Sequence, residues 1–184
     1  MSDSDATRSA PAPGAIVHDT LREYAERGVF RGFDAASLPG PDAGEGGDGG
    51  PVFSFRFFWL GPRPFRIDLS PDGDTLAVRD PLPALARHPA VRAEVERMIE
   101  ERLAPTTEGF LPPHRRIDGE KVSAKLVPSS GPRGEDSFDL VLTIRDAHQE
   151  YAVRKVLNLI HEIWVRLQDR HQRYLWEELQ APME

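Results

Sequence analysis

The stretch "IDLSPDGDTLAVRD", residues 67–80, decides the fold, because it places a turn signal between two runs with the period of a strand. Apolar residues recur at every second position on both sides of the turn: Ile67, Leu69, Leu76 and Val78. Asp72 and Gly73 are the residue types that a tight turn between two twisted strands requires. The stretch therefore predicts an antiparallel hairpin.

A β-propeller uses the same kind of turn in every blade, and it needs four or more blades of about 40 to 45 residues. In this chain the Pro-Asp-Gly turn occurs once, and two helical patterns follow it. The sequence therefore excludes a propeller, and the hairpin belongs to a smaller sheet.

Strand patterns continue on both sides of the hairpin. Residues 52–60, "VFSFRFFWL", alternate aromatic residues with polar ones and precede the hairpin directly. Residues 119–127, "GEKVSAKLV", and 137–145, "SFDLVLTIR", alternate in the same way further along the chain. Together these runs predict a five-stranded antiparallel sheet.

Three helices complete the predicted architecture. The first ends at Gly28, where a left-handed residue closes a helix, and the second begins at Pro89. Asp146 and Gln149 have the spacing of a capping box, and no Pro or Gly interrupts the chain from there to Leu179. The order α-β-β-β-α-β-β-α predicts a two-layer α+β domain in which helices cover one apolar face of the sheet.

The chain is predicted to form a single domain over residues 14–180. Residues 1–13 and 181–184 are expected to be disordered tails, since they lack any apolar periodicity. Residues 31–51 contain many Gly and Pro residues and are expected to form a flexible loop.

Composition limits the possible functions. The chain of 184 residues has 23 basic and 30 acidic residues, and a net charge of -7 argues against direct binding of nucleic acid. It contains no cysteine, which excludes disulfides, thiolate zinc sites and a cysteine nucleophile. No signal peptide or membrane-spanning stretch is present, so a cytoplasmic protein without a membrane partner is expected.

Two motifs resemble catalytic or cofactor sites, but the residues around them do not fit such sites. "GEGGDGG", residues 44–50, contains the glycines of a dinucleotide loop, but no strand precedes it and Pro51 follows it. "HEIWV", residues 161–165, begins like a zinc-protease motif, but Val165 stands where the second histidine is needed. No enzyme activity, cofactor or metal is therefore expected.

The length of the final helix predicts an interface. A helix of about 33 residues spans about 50 Å, whereas a globule of about 140 residues is less than 40 Å across, so the helix end is expected to protrude. The protruding end is expected to pack on a second subunit or a partner protein through Trp164, Leu167, His171, Tyr174, Leu175, Trp176 and Leu179. The alternative is that residues 31–51 fold back over this end, anchored by Phe33 and Leu38. His171 is expected to be a satisfied interface histidine or, alternatively, a pH-sensitive contact.

The order of elements, the size and the acidity resemble the type III secretion chaperone-like fold, and within it the YbjN family of small bacterial proteins. The resemblance covers residues 15–179 and rests on architecture, so no functional residue is carried over from the family. It implies a homodimeric, non-enzymatic protein that binds a segment of another protein.

Two functions follow as hypotheses. The first is a chaperone-like binding module whose client is a disordered or basic segment, attracted by the negative net charge. The second is a small-molecule-sensing domain with an apolar pocket between the sheet and the last helix, lined by Phe55, Phe57 and Trp59.

Overall fold

The computed structural model describes residues 11–38, 52–103, 121–129 and 136–179. Three long helices are described: α1 (Pro13–Glu26), α2 (Pro89–Leu103) and α3 (Gln149–Arg170). Six strands are described: β1 (Arg31–Leu38), β2 (Val52–Phe58), β3 (Pro64–Leu69), β4 (Thr75–Arg79), β5 (Val122–Pro128) and β6 (Phe138–Ile144). Short helical turns cover Leu85–Arg87, Gln172–Tyr174 and Leu175–Leu179.

The strands form one antiparallel sheet in the order β1-β2-β3-β4-β6-β5. The expected α+β class and antiparallel sheet are confirmed, but the expected number of five strands is wrong. The additional strand is β1, which lies in the segment expected to be a loop and pairs with β2 at the edge of the sheet. Its sequence, "RGFDAASL", has few of the β-branched and aromatic residues that mark a strand, because an edge strand packs less of its surface.

The core lies on one face of the sheet. In β2, β3, β4 and β6 every second side chain is buried against the helices, and the residues between them point to the opposite side. One continuous apolar cluster joins these strands to α1, α2 and α3. The described helices therefore all lie on the same face, as expected for two layers.

The hairpin predicted from residues 67–80 is confirmed, since β3 pairs with β4 in antiparallel register. Gly73 has a φ of +78° and donates its N–H to the Ser70 carbonyl at 3.0 Å. A Cβ atom built on Gly73 would lie 2.5 Å from Cβ of Pro13, and the Gln149 amide donates to the Gly73 carbonyl at 3.2 Å. The turn is therefore packed beneath the first residues of α1 and α3.

The final helix is shorter than expected. It ends at Arg170, and His171 leaves helical geometry with φ -133° and ψ 44°. A helix of 22 residues spans about 33 Å, which fits within the domain, so the predicted overhang is wrong. Neither Pro nor Gly causes the break. It lets the next apolar residues return to the core, and that burial outweighs the continuation of the helix.

The predicted capping box at the start of this helix is also wrong. Asp146 and Ala147 both have a positive φ, and α3 begins at Gln149 without a side-chain cap. The Asp146 carboxylate instead accepts a hydrogen bond from Lys121 at 2.7 Å.

Several expectations fall on parts of the chain that are not described. Residues 1–10 of the predicted N-terminal tail, residues 39–51 of the predicted loop and residues 181–184 lie outside the described ranges, and so does the glycine-rich motif at 44–50. Within the ranges that are described, no helix combines the length and the apolar character needed to span a membrane.

Candidate functional site

Most of the residues predicted to form an interface lie in the core of this chain. The exposed fraction of each side chain is 5% or less for Trp164, Leu167, Tyr174, Leu175 and Leu179. Trp176 is 71% exposed, and His171 is partly exposed. This apolar end is therefore covered largely within the chain, and Trp176 stays exposed.

The terminal segment, residues 171–179, is covered from within the chain by residues 80–88. The Tyr174 hydroxyl donates to the Pro83 carbonyl at 3.0 Å, and its ring meets the His88 ring edge-on at 4.9 Å. The same histidine lies 3.0 Å from a Glu178 carboxylate oxygen. Burial raises the pKa of Tyr174 well above its usual value, and the nearby Glu178 carboxylate adds to this effect.

In the alternative covering of this end by residues 31–51, the anchor Phe33 can be located, whereas residues 39–51 lie outside the described ranges. Phe33 lies on β1 beside His18 of α1, with the two ring centres 5.7 Å apart. The sequence contains no pattern that predicts that residues 80–88 cover the terminal segment, because these residues combine two prolines with isolated apolar positions.

Charged side chains converge on the helix-free side of the sheet, called the outer face below. It is formed by the strand residues that alternate with the core positions, and none of the described helices covers it. Its charged members on β2 to β6 are Arg56, Arg66, Asp68, Arg79, Lys125 and Asp139.

Three of these arginines stand side by side on neighbouring strands. Arg56 of β2 is the direct cross-strand partner of Arg66 of β3, which is in turn the partner of Arg79 of β4. Neighbouring strands lie about 4.8 Å apart, and like charges placed directly opposite each other destabilise a sheet. This arginine row is therefore an unfavourable arrangement that needs compensating charges.

Two buried carboxylates supply part of that compensation. Asp68 accepts hydrogen bonds at 2.8 Å from both Arg66 and Arg79, and Asp139 accepts one at 2.7 Å from Arg79. Burial alone would raise the pKa of Asp68, but the hydrogen bonds from Arg66, Arg79 and Ser54 outweigh burial and hold its pKa below the usual value. Arg79 thus links the two carboxylates across β3, β4 and β6.

Arg56 and Lys125 have no compensating carboxylate among the described residues. Both side chains are exposed, and neither makes an ion pair or a side-chain hydrogen bond with a residue in the described ranges. Asp34 of β1 is the cross-strand partner of Arg56, but the two charges do not form an ion pair. The outer face therefore presents available positive charge in a chain whose net charge is -7.

A cleft lies where Trp59 and the β2–β3 turn approach α3. It encloses about 310 Å³ of empty space, part of it open to solvent, and is lined by Trp59, Arg63, Phe65, Asp80, Trp164 and Leu179. Arg63 donates to Asp80 at 2.8 Å at its wall. The buried indole N–H of Trp164 has no acceptor among the described residues.

The predicted small-molecule pocket is only partly present. Trp59 lines the cleft, whereas Phe55 and Phe57 are 2% and 1% exposed and belong to the core. A second, apolar space of about 270 Å³, part of it open to solvent, lies between the sheet, α2 and α3 and also reaches Trp164.

Sequence reasoning missed the arginine row. The strand periodicity already places Arg56, Arg66 and Arg79 on the side opposite the core, and this signal could have been used. Their direct juxtaposition depends on the register between strands, which the sequence does not reveal.

The described residues contain no group of three or more His, Asp or Glu side chains that could hold a metal ion. Comparisons with protein-family models, curated proteins and solved structures find no match to this chain. Its function therefore has to be inferred from the outer face and the cleft.

Proposed function

We propose that this protein is a non-enzymatic binding module that holds a segment of a partner protein against the outer face of its sheet. The observation that carries the proposal is the outer face, which no described helix covers, with its arginine row and with Arg56 and Lys125, which form no ion pair with a described residue. The resemblance to secretion chaperones supports the same class of function, and it adds a homodimer to the proposal.

The physical properties of this face suit binding. The strand backbones are held by ladder hydrogen bonds, so a partner meets a surface that needs little ordering when it binds. Arginine side chains offer both an apolar stem and a planar group of donors for carboxylates. Phe58, which is 39% exposed, adds an apolar contact at the β1–β2 side.

Site-specific crosslinking tests the location. We expect a photo-crosslinking amino acid at Thr143, an exposed position on the outer face, to capture a partner in cell extract. The matched control carries the same amino acid at Gln168, an exposed position on α3. The captured protein is then identified and purified, and it should slow amide hydrogen exchange in β3, β4 and β6. Equal capture from both positions would contradict the proposal.

A second function is favoured by one observation, the buried indole N–H of Trp164, which lies beside the cleft and has no acceptor among the described residues. A small ligand with an apolar body and a carbonyl or carboxylate oxygen would supply the missing acceptor. A metabolite screen by thermal unfolding tests it, since a ligand that binds the folded state raises Tm. The rise should disappear in Trp164→Phe, which keeps the aromatic ring without the indole N–H, and should persist in Trp176→Phe.

A further inference from the structure

We infer that the partner segment is acidic, a peptide whose aspartate and glutamate side chains bind across the arginine row. This inference rests on the proposed function and names the chemistry of its partner. It reverses the expectation of a basic client, which was drawn from the net charge of the whole chain.

Local charge decides which segment can approach the outer face. Charges further apart than about 8 to 10 Å are largely screened at physiological salt, so the acidic residues on the helical side contribute little there. Four cations stand on β2 to β6 of this face, namely Arg56, Arg66, Arg79 and Lys125. The two carboxylates among them, Asp68 and Asp139, are each 4% exposed and already occupied.

Strand β1, at the edge of the outer face, does not change the local excess of positive charge. On β1, Arg31 and Asp34 carry opposite charges, and they are the cross-strand partners of Phe58 and Arg56. A peptide carboxylate near Arg56 would therefore gain a guanidinium partner that no described side chain now occupies. It would also relieve the repulsion between adjacent arginines in the row.

Nucleic acid is the other polyanion that arginines bind, and the structure favours it less. Binding of single strands depends on aromatic side chains on which bases stack, and Phe58 is the aromatic residue that the described part of the outer face offers. An acidic peptide carries fewer charges and needs only the local row.

The test compares three labelled probes by fluorescence anisotropy, starting at physiological salt. The first is a synthetic peptide in which glutamate alternates with serine, the second replaces each glutamate with lysine, and the third is a thymidine oligonucleotide. We expect the glutamate peptide to bind the full chain, its affinity to fall as salt is added, and the other two probes to bind at least tenfold more weakly.

Two charge reversals locate the binding. Arg56→Glu should weaken binding of the glutamate peptide about tenfold, because it replaces an attractive group with a repulsive one. Arg56 is exposed and makes no side-chain bond within the described ranges, so this variant is expected to keep its fold, which circular dichroism checks. Arg173→Glu is the matched control, since Arg173 is 89% exposed on the terminal segment and gives the same change in net charge. It should change the affinity less than twofold.

The inference is overturned if the lysine peptide or the oligonucleotide binds more tightly than the glutamate peptide, or if both reversals have equal effects. The absence of any binding by the glutamate peptide also overturns it. Each of these results can be separated from failure of the proposed function, because capture from Thr143 and not from Gln168 would still place a partner of different chemistry on the outer face.

Discussion

At the scale of single residues, the turn between β3 and β4 depends on Gly73. Gly73→Ala should lower the free energy of unfolding by about 2 to 5 kcal/mol, since a left-handed alanine costs about 1 to 2 kcal/mol and overpacking costs about 1 to 3 kcal/mol. The added Cβ atom would overlap the Pro13 ring at 2.5 Å. Urea unfolding measures the change.

Gly28 provides the control for this substitution. Its φ of +75° is nearly the same, but a Cβ atom there would have no atom within 4 Å. Gly28→Ala should therefore cost only the backbone strain, about 1 to 2 kcal/mol. If the two alanine variants lose equal stability, the contact between the turn and Pro13 does not contribute.

Asp68 predicts a pH dependence at the same scale. Its pKa in the folded protein lies below the usual 3.8, so the stabilisation is complete well above pH 4 and is lost as the pH falls through the folded pKa. Asp68→Asn should cost about 1.5 to 3 kcal/mol at pH 7, because it weakens bonds to two arginines. The difference between variant and wild type should be smaller at pH 3.

Urea unfolding at the two pH values measures this difference. Asp169→Asn makes the same change in charge at a side chain that is 79% exposed, and it should shift stability by less than about 0.5 kcal/mol at pH 7. A difference for Asp68→Asn that stays constant with pH would show that its ionised form is not specifically stabilised.

At the scale of elements, periodicity predicts the strands and helices whose faces are strongly divided between core and solvent. Strands β2 to β4 agree with the sequence pattern because they bury every second side chain. The start of α2 at Pro89 also agrees, because this helix buries every third or fourth side chain. Strand β1 does not show this periodicity, because it is an edge strand with small residues. Periodicity does not predict the break at His171 either, because the break is caused by burial of the residues that follow and not by a local helix breaker.

The docked terminal segment leads to a prediction that would not hold for an overhanging helix. Tyr174→Ala should lower the free energy of unfolding by about 3 to 5 kcal/mol, since it empties a buried aromatic site and removes the bond to the Pro83 carbonyl. Arg173→Ala is the control and should change stability by less than about 0.5 kcal/mol, because its side chain on the same segment is 89% exposed. Equal effects in thermal unfolding would contradict the docked arrangement.

At the scale of the whole molecule, the described helices cover one face of the sheet and not the other, and the sequence distributes its charges unequally between the two faces. Residue types and periodicity predict which side chains share the outer face. The arginine row itself needs the register of three strands, and the cleft needs the turn after β2 to meet α3 from the far end of the chain. Such juxtapositions arise from tertiary pairing, so the candidate sites could be predicted only in part.

The homodimer is the last prediction at this scale, and Trp176 is the residue through which we expect it to form. An exposed tryptophan at an interface typically contributes about 2 kcal/mol or more, and a two-fold interface uses the same residue twice. Trp176→Ser should therefore raise the dissociation constant of the dimer about a thousandfold, since about 1.4 kcal/mol corresponds to a factor of ten.

Light scattering after size exclusion should give twice the chain mass for the wild type and the single chain mass for Trp176→Ser. Val165→Ser is the matched control, because Val165 is the other apolar side chain on this part of the chain that is more than half exposed, at 52%. It should remain dimeric. Leaving Tyr174 unchanged keeps the terminal segment docked, so loss of the dimer would not reflect unfolding of that segment. One mass for all three proteins, whether of one chain or two, would mean that Trp176 joins no second copy and that the outer face works in a monomer or in a dimer formed elsewhere.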